Sequence, residues 1–298
     1  MTQHGEVGGF GRTNGSEPRL KTEAFLPPQG GPTAAERLAG APPPAAAVPG
    51  HQGLTLSVVI PTWNEASNIA TVLQYLGDAH EVVLVDGLSE DGTVETALEL
   101  RPDVTLIQRE PRGKGDALRA GFDAATGDVI VIMDADGSMD PGEIDVFMSV
   151  IALGFDLVKG SRLACGGGSY DLTRVRWAGN AALCAVANGL FHTHWTDLCY
   201  GYLAFRRECL PRLALDADGF EIEAQILGHA AQAGLRIAEI PSIELPRLEG
   251  ESHLKATRDG TRILKAMLAA RFAPRARRSA VALRPNTLAT GLSATPRR

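Results

Sequence analysis

The chain has 298 residues, of which 44% are hydrophobic, and this is enough for one sizeable α/β domain with additional terminal segments. No apolar run reaches the roughly 18 residues that a membrane span requires. Residues 1–30 lack the apolar centre of a secretory signal peptide. The four cysteines form no Cys-x-x-Cys pair, so we expect reduced thiols and a cytoplasmic protein.

The charge is unevenly distributed. Residues 274–298 contain arginines and no acid and contribute +6, residues 1–53 are balanced, and the whole chain carries −6, so residues 54–273 carry −12. An acidic domain binds nucleic acid poorly, and we exclude that function. Residues 1–53 are rich in Gly, Pro and Ala. We predict that this segment and the Arg-rich residues 274–298 are disordered, and that residues 54–273 form one domain.

The first half of the domain alternates apolar runs with helical patterns. Strands are predicted at 56–61, 81–87, 104–110 and 129–134. Three helices are predicted between them. The first begins with Asn64 or Ser67 as its N-cap and ends at Gly77. The second covers 89–100 with Ser89 as its N-cap, and the third lies within 113–127. This alternation predicts right-handed βαβ units and a doubly wound, mainly parallel sheet flanked by helices. Ligands of such sheets bind beyond the carboxyl ends of the strands.

The second half is predicted to add strands and helices to the same layers. Strands are expected at 158–162 and 199–205 and, as an edge strand, at 235–241, and helices from Arg174, over 220–234 and over 256–272. The last helix carries basic residues beside apolar ones. It either lies on a membrane surface together with the Arg-rich tail or packs on the sheet.

The stretch VIVIMDADGS, residues 129–138, carries the first chemical signal. Side chains alternate along a strand, so Asp134 and Asp136 face the same way with Cα atoms roughly 6–7 Å apart. Two carboxylates at the end of a buried strand repel each other unless a cation lies between them, and oxygen ligands suit Mg²⁺ or Mn²⁺. The alternative is two solvated aspartates at a strand end. Aspartate side chains splayed apart, or a lysine in the place of the ion, would contradict the metal interpretation and with it the enzyme predicted below.

Two common nucleotide motifs are absent from the expected places. The first strand is followed by PTWNE and not by Gly-x-Gly-x-x-Gly, which argues against a dinucleotide dehydrogenase. Residues 87–93 partly imitate a phosphate-binding Walker A loop, but Thr93 stands where the essential lysine should be. We therefore reject the phosphate-binding Walker A loop.

Four motifs follow one another at the predicted strand ends: VVIPTWNEASNI, VDGLSEDGT, GKGDALRAGF and DADGS. They resemble the nucleotide-sugar half of family 2 glycosyltransferases with the GT-A fold. The later segments GSR, TDLCYGYLAFRR and RLEGESHL resemble the dolichyl (polyprenyl) phosphate sugar synthase branch. The resemblance covers about residues 54–265, and it implies a UDP- or GDP-linked sugar donor and a divalent metal.

The resemblance also implies roles for individual residues. Those implied to bind the nucleotide sugar are Pro61, Trp63, Glu65, Asp86, Lys114, Asp134 and Arg162. The implied ligands of Mg²⁺ or Mn²⁺ are Asp134, Asp136 and Ser138. Those implied to bind the acceptor or its phosphate are Arg176, Asn180, Arg247 and Ser252. Asp136 and Asp197 are the predicted catalytic residues. Asp197 is the first candidate for a general base towards a hydroxyl acceptor, with Glu221 and Glu223 behind it.

Simpler interpretations stay open for several of these residues. Trp63 is alternatively a core residue, and Lys114 a solvated turn lysine. At least one of Arg174 and Arg176 is expected to be solvated. The chain also departs from the family at Leu203, where the branch has arginine, so the acceptor stays open.

We predict a metal-dependent inverting glycosyltransferase with a nucleoside-diphosphate sugar donor and a polyprenyl phosphate acceptor, and possible peripheral contact with a membrane. Within the same class, the alternative is a soluble hydroxyl acceptor such as a secondary metabolite. A sugar-1-phosphate nucleotidyltransferase is a second class, although it would require a glycine-rich basic loop where this chain has PTWNE. A third is a non-catalytic relative that only binds nucleotide.

Overall fold

A computed structural model describes residues 53–76, 81–250 and 256–273. The predicted disorder of the terminal segments and the predictions for Gly77 and Ser252 lie outside these residues. The described strands are β1 Leu56–Thr62, β2 Glu81–Asp86, β3 Thr105–Gln108, β4 Val129–Ile132, β5 Leu157–Ser161, β6 Gly168–Ser169, β7 Leu203–Arg206, β8 Ile237–Pro241 and β9 Ile243–Glu244. The described helices are α1 Ala66–Leu76, α2 Thr93–Leu100, α3 Lys114–Ala124, α4 Ile144–Ala152, α5 Arg174–Phe191, α6 Leu210–Leu213, α7 Ile222–Gln232 and α8 Ala256–Phe272.

A seven-stranded sheet organises the fold. Its strand order is β3-β2-β1-β4-β7-β5-β8, and β6 pairs with β9 in a separate parallel pair. β1 pairs in parallel with β2 and β4, and β5 with β8, whereas β7 runs antiparallel between β4 and β5. The predicted doubly wound, mainly parallel sheet is confirmed, and β8 lies at its edge as predicted.

Alternate side chains of the strands enter two hydrophobic layers. Val59 faces a core that includes Leu118 of α3 and residues of α5, α7 and α8. Its neighbours Val58 and Ile60 face the opposite core with α1 and α4. The central strands are buried on both faces, which explains why they read as continuous apolar runs in the sequence.

The N-terminus of α1 differs from the prediction. Asn64 does not cap it, because its side-chain oxygen accepts a hydrogen bond from the Glu90 amide. The loop after β2 supplies the acceptors: Thr93 Oγ1 binds the Glu65 amide at 2.9 Å, and Asp91 Oδ2 binds the Ala66 amide at 3.0 Å. These two side chains therefore cap the N-terminus of α1 from a distant part of the chain, in place of a local N-cap residue.

Two further predictions are corrected. Helix α2 begins at Thr93 and not at Ser89, because the Ser89 side chain donates to Asp86. Helix α8 packs against α5 and α7 and not on the sheet, burying Ile263 and Met267. None of the helices in the described ranges combines the length and apolarity that crossing a bilayer would require.

Candidate active site

A cleft of about 800 Å³ opens at the carboxyl ends of β1, β2 and β4. The structure brings together along it most of the residues predicted from the sequence: Pro61, Trp63, Glu65, Asp86, Lys114, Asp134, Asp136, Ser138, Arg162, Arg176, Asn180 and Arg247. Asp197 does not line the cleft that the described residues form. The parallel strands explain this convergence, because their carboxyl ends meet at one edge of the sheet.

Asp136 lies in a tight turn immediately after β4. It is only 4% exposed, and its Oδ1 accepts a hydrogen bond from the Ser138 amide at 2.9 Å. Gly137 adopts a φ of 76°, and a Cβ there would meet the Leu248 side chain. The Leu248 amide in turn donates to the Asp136 carbonyl. The turn therefore holds the Asp136 carboxylate in one direction, towards the cleft.

Two basic side chains contact the aspartates. Lys114 Nζ lies 2.6 Å from Asp134 Oδ1 and 2.6 Å from Glu223 Oε1, and Arg247 Nη2 lies 2.8 Å from Asp136 Oδ2. This does not match the predicted sharing of one ion by both aspartates. At Asp134, Lys114 takes the place of the ion, and this counts against the predicted metal site. The metal interpretation now depends on Asp136 alone.

The electrostatics of the turn fit a cation at Asp136. Burial, followed by the Asp134 charge, raises the pKa of Asp136 despite the opposing effect of Arg247. Burial also raises the pKa of Glu65, and the charges of Asp136 and Asp134 add to this effect. Additional positive charge would thus be stabilised here.

The number of ligands also fits a metal that the substrate helps to bind. Within the described ranges, no group of three or more His, Cys, Asp or Glu side chains is arranged to hold an ion by itself. Mg²⁺ is commonly bound through one or two carboxylates, with substrate phosphates and water completing its coordination. One firmly held aspartate beside a diphosphate site meets this requirement.

The other end of the cleft has the features of a nucleoside site. Trp63 is 48% exposed, and its side chain lies beside Gly87 in the lining of the cleft. Asp86 is fully buried and accepts hydrogen bonds from the amide and hydroxyl of Ser89. The exposure of Trp63 argues against the alternative that it belongs to the core.

The predicted base Asp197 has a different environment from the one expected. Its carboxylate is fully buried and binds Arg162 through Nε at 2.7 Å and Nη2 at 3.0 Å. Although burial alone would raise it, the guanidinium lowers the pKa of Asp197 below its usual range. A base must reach the acceptor proton, and this carboxylate does not. Its geometry fits the positioning of Arg162, which would correct the predicted role.

Glu244 is a site residue that the sequence analysis missed. It binds Arg162 Nη1 at 3.1 Å from the side opposite Asp197, and it accepts a hydrogen bond from Ser169. Arg162 also lies over the Tyr200 ring, 5.0 Å from its centre. No local pattern marks Glu244, because its partner is 82 residues away in the sequence.

Arg176 and Asn180 share one face of α5, as predicted from their spacing. Arg176 pairs with Asp171 at 3.1 Å at the cleft margin. Asn180 is 2% exposed, and its oxygen accepts from the amides of Leu198 and Cys199. Its Nδ2 has no hydrogen-bond partner in the described structure. A buried donor without a partner is costly, so a ligand oxygen there would stabilise it.

One arm of the cleft is apolar. Its walls come from the residues before and within α5 and from α8, and they include Leu172, Val175, Ala182, Leu183, Ile263 and Leu264. Val175 is 74% exposed. These residues line the same cleft as Asp136 and Asn180, so one cleft has both a polar and an apolar lining.

The fold is shared with solved glycosyltransferases. Glucosyl-3-phosphoglycerate synthase from Mycobacterium tuberculosis, solved with Mn²⁺, UDP and glucosyl-3-phosphoglycerate, is 22% identical and superposes with a TM-score of 0.59. The match covers 82% of this chain and 86% of that one. The sheet order and the cleft at its carboxyl edge are thus those of the GT-A fold.

Sequence comparison gives the family. The family model "Glycosyl transferase family 2" matches residues 57–213. Dolichyl-phosphate hexose transferase from Haloferax volcanii is 32% identical over 217 residues, which is 72% of this chain and 92% of the relative. Undecaprenyl-phosphate mannosyltransferase from Micrococcus luteus is 32% identical over 214 residues, 66% of this chain and 86% of the relative. The chain belongs to glycosyl transferase family 2, and it is a glycosyltransferase.

Proposed function

We propose that this protein is a metal-dependent inverting glycosyltransferase that moves a sugar from a UDP- or GDP-linked donor to a polyprenyl phosphate. The observation that carries the proposal is the junction within one cleft of a fixed acidic turn, Asp136, and an apolar arm between α5 and α8. The acidic turn suits a diphosphate with its metal, and the arm suits an isoprenoid chain.

The donor is bound along the strand ends. Trp63 provides an aromatic face for the nucleobase, and Asp86 has acceptor capacity left for a base N–H because each carboxylate oxygen can accept more than one bond. Arg162 is held on both sides by Asp197 and Glu244, which fixes its guanidinium at the cleft wall. A guanidinium fixed in this way is suited to bind diphosphate oxygens.

Asp136, with help from Ser138, would hold Mg²⁺ or Mn²⁺. Bound there, the ion would neutralise the charge that develops on the departing nucleoside diphosphate. Arg247 contacts the same carboxylate and would bind a diphosphate oxygen when the donor is present. Lys114 forms ion pairs with Asp134 and Glu223 and offsets one of their two negative charges. Burial alone would lower its pKa, but these two carboxylates raise it, so the lysine stays charged.

The acceptor enters from the opposite side. Its isoprenoid chain lies in the apolar arm, and its phosphate reaches Arg176 and the unpartnered Nδ2 of Asn180 in the same cleft. A phosphate oxygen is already ionised and attacks without a general base. A single in-line displacement inverts the anomeric configuration. Because this reaction needs no general base, Asp197 can stay paired with Arg162 throughout.

The relatives support this choice of acceptor, because two of them are named for transfer to undecaprenyl phosphate or dolichyl phosphate. The family assignment also favours a glycosyltransferase over the sugar-1-phosphate nucleotidyltransferase considered from the sequence. Contact with a membrane surface and a cytoplasmic location belong to the same proposal, since a polyprenyl phosphate acceptor resides in a bilayer.

The test uses the full chain with radiolabelled UDP- and GDP-linked sugars and detergent-solubilised polyprenyl phosphate, with Mg²⁺, Mn²⁺ or EDTA. We expect a butanol-soluble labelled product that requires metal. D136A should reduce the rate by about a thousandfold or more while the chain stays folded. D123N, at an exposed aspartate of α3, is the matched control and should keep full activity.

Full activity of D136A, or of the wild type in EDTA, would remove the metal from the mechanism. A labelled product that stays in the aqueous phase with a soluble hydroxyl acceptor would replace the lipid acceptor by the soluble alternative. Binding of nucleotide without transfer to any acceptor would favour the non-catalytic alternative.

A further inference from the structure

A second, smaller pocket of about 150 Å³ adjoins the cleft. It lies between the loop before α3, the loop before α7 and the first turns of α8. Three arginines line it, one from the first loop and two from α8: Arg112, Arg258 and Arg262. Arg112 also lines the cleft, whereas Arg258 and Arg262 line only the smaller pocket, and no role in donor or acceptor binding was assigned to any of the three.

The three arginines are exposed, and their guanidinium groups form no ion pair within the described residues. Of the acids nearby, Asp259 lines the same pocket, whereas Asp218 is bound by Arg119 at 2.7 Å. The Glu221 carboxylate lies beside Gly219, as the Arg262 guanidinium does. The pocket therefore has an excess of positive charge within a domain whose net charge is strongly negative. Convergent like charges repel, and an anion between them would relieve that repulsion.

The pocket walls are joined by hydrogen bonds. The amides of Gly115 and Asp116 donate to the Asp218 carbonyl at 2.8 and 3.2 Å, which ties the start of α3 to the loop before α7. Gly113 has a φ of 135° and packs against Asp218 so closely that a Cβ would overlap its carbonyl. Arg262 Nη1 lies close to Gly219 on the other side. The space between the arginines is thus formed before any ligand binds.

We propose that this arginine pocket, formed by Arg112, Arg258 and Arg262, binds a phosphate group other than those of the sugar donor and the acceptor. Planar guanidinium groups grip phosphate oxygens bidentately, and a pocket of this volume accommodates one phosphate and little more. The phosphate belongs either to a free phosphorylated molecule or to a lipid headgroup. The exposed face of α8 continues with Lys265, Leu268 and Phe272, which favours the headgroup.

The experiment measures two kinds of binding to the full chain at fixed ionic strength. Inorganic phosphate is titrated and followed by phosphorus NMR line broadening. Sedimentation is measured with phosphatidylcholine vesicles, with and without phosphatidylglycerol. The variants are R258Q/R262Q on α8 and R112Q on the opposite wall. R236Q is the matched control, because Arg236 is exposed and does not line the pocket or the cleft. UDP binding reports on the donor cleft.

Saturable phosphate binding that falls about tenfold in both R258Q/R262Q and R112Q, with phosphate binding of R236Q and UDP binding of R258Q/R262Q unchanged, would establish the site. If phosphatidylglycerol vesicles also bind the wild type and R236Q better than R258Q/R262Q, the ligand is a lipid headgroup. If only phosphate discriminates among them, the ligand is a free phosphorylated molecule. Equal binding of both probes by the wild type and the folded arginine variants would overturn the proposal. Loss of sugar transfer alone would not, because the proposed function is tested separately through D136A.

Discussion

Glu143 offers the most quantitative prediction. It lies in the turn before α4 and accepts hydrogen bonds from the Ser242 hydroxyl and from the Ile243 amide, the latter at 2.9 Å. Two functional side chains follow directly in the sequence: Glu244, which binds Arg162, and Arg247, which binds Asp136. Glu143 therefore anchors the segment that presents both residues to the cleft.

Burial raises the pKa of Glu143 from 4.5 to about 7 against the effect of its two hydrogen bonds. A carboxyl group whose pKa is raised by folding contributes stability that is complete below the unfolded value and is lost as the pH rises through the folded value. At about 1.4 kcal/mol per pH unit, the rise from 4.5 to about 7 corresponds to about 3 kcal/mol lost by neutral pH and above. E143Q keeps an acceptor oxygen for the Ile243 amide, presents an N–H donor to the Ser242 hydroxyl, which can also accept, and removes this titration.

The assay is urea denaturation of the wild type and E143Q at about pH 5 and about pH 8. E143Q should gain stability relative to the wild type by about 2–3 kcal/mol between these conditions. E99Q, at an exposed glutamate of α2, is the matched control, and its difference from the wild type should stay constant. A constant difference for E143Q as well would show that the Glu143 carboxyl titrates normally, and the reasoning about its burial would be refuted.

Two further substitutions test other parts of the cleft. W63A should weaken UDP or GDP binding by about tenfold, the loss expected for one aromatic–base contact, and leave the melting temperature nearly unchanged because Trp63 is 48% exposed. A large drop in melting temperature would instead identify Trp63 as a core residue. D197N should destabilise the fold by about 3–5 kcal/mol in chemical denaturation, because it breaks a buried ion pair with Arg162. A stable D197N that retains donor binding but loses transfer would restore the catalytic role predicted from the sequence.

The layered sheet could be predicted from the sequence because its evidence is local. Strands such as β1 and β4 appear as apolar runs that end at turn residues, and their parallel direction places Glu65 and Asp136 at one edge. The antiparallel insertion of β7 between β4 and β5 was not apparent, since the pattern of a strand does not reveal its direction or its neighbours.

The site was predictable in its position but not in its pairings. Which carboxylate binds which cation depends on contacts between distant residues, such as Lys114 with Glu223 and Arg162 with Glu244. Asp197 lies within the recognisable motif TDLCYGYLAFRR. The motif does not show that Arg162, 35 residues earlier, folds against the carboxylate and helps to bury it. Motifs locate chemistry along the chain, and the packing of the folded protein then determines which groups stay available.

The capping of α1 by Asp91 and Thr93 has a consequence for how the chain is made. While the protein emerges from the ribosome, the first helix is synthesised well before the side chains that complete its N-terminus. Until residues 91 and 93 have been added, the Glu65 and Ala66 amides lack these two acceptors, and the first turn of the helix is less stable than in the finished protein. Completion of this helix therefore depends on a part of the chain that is made later.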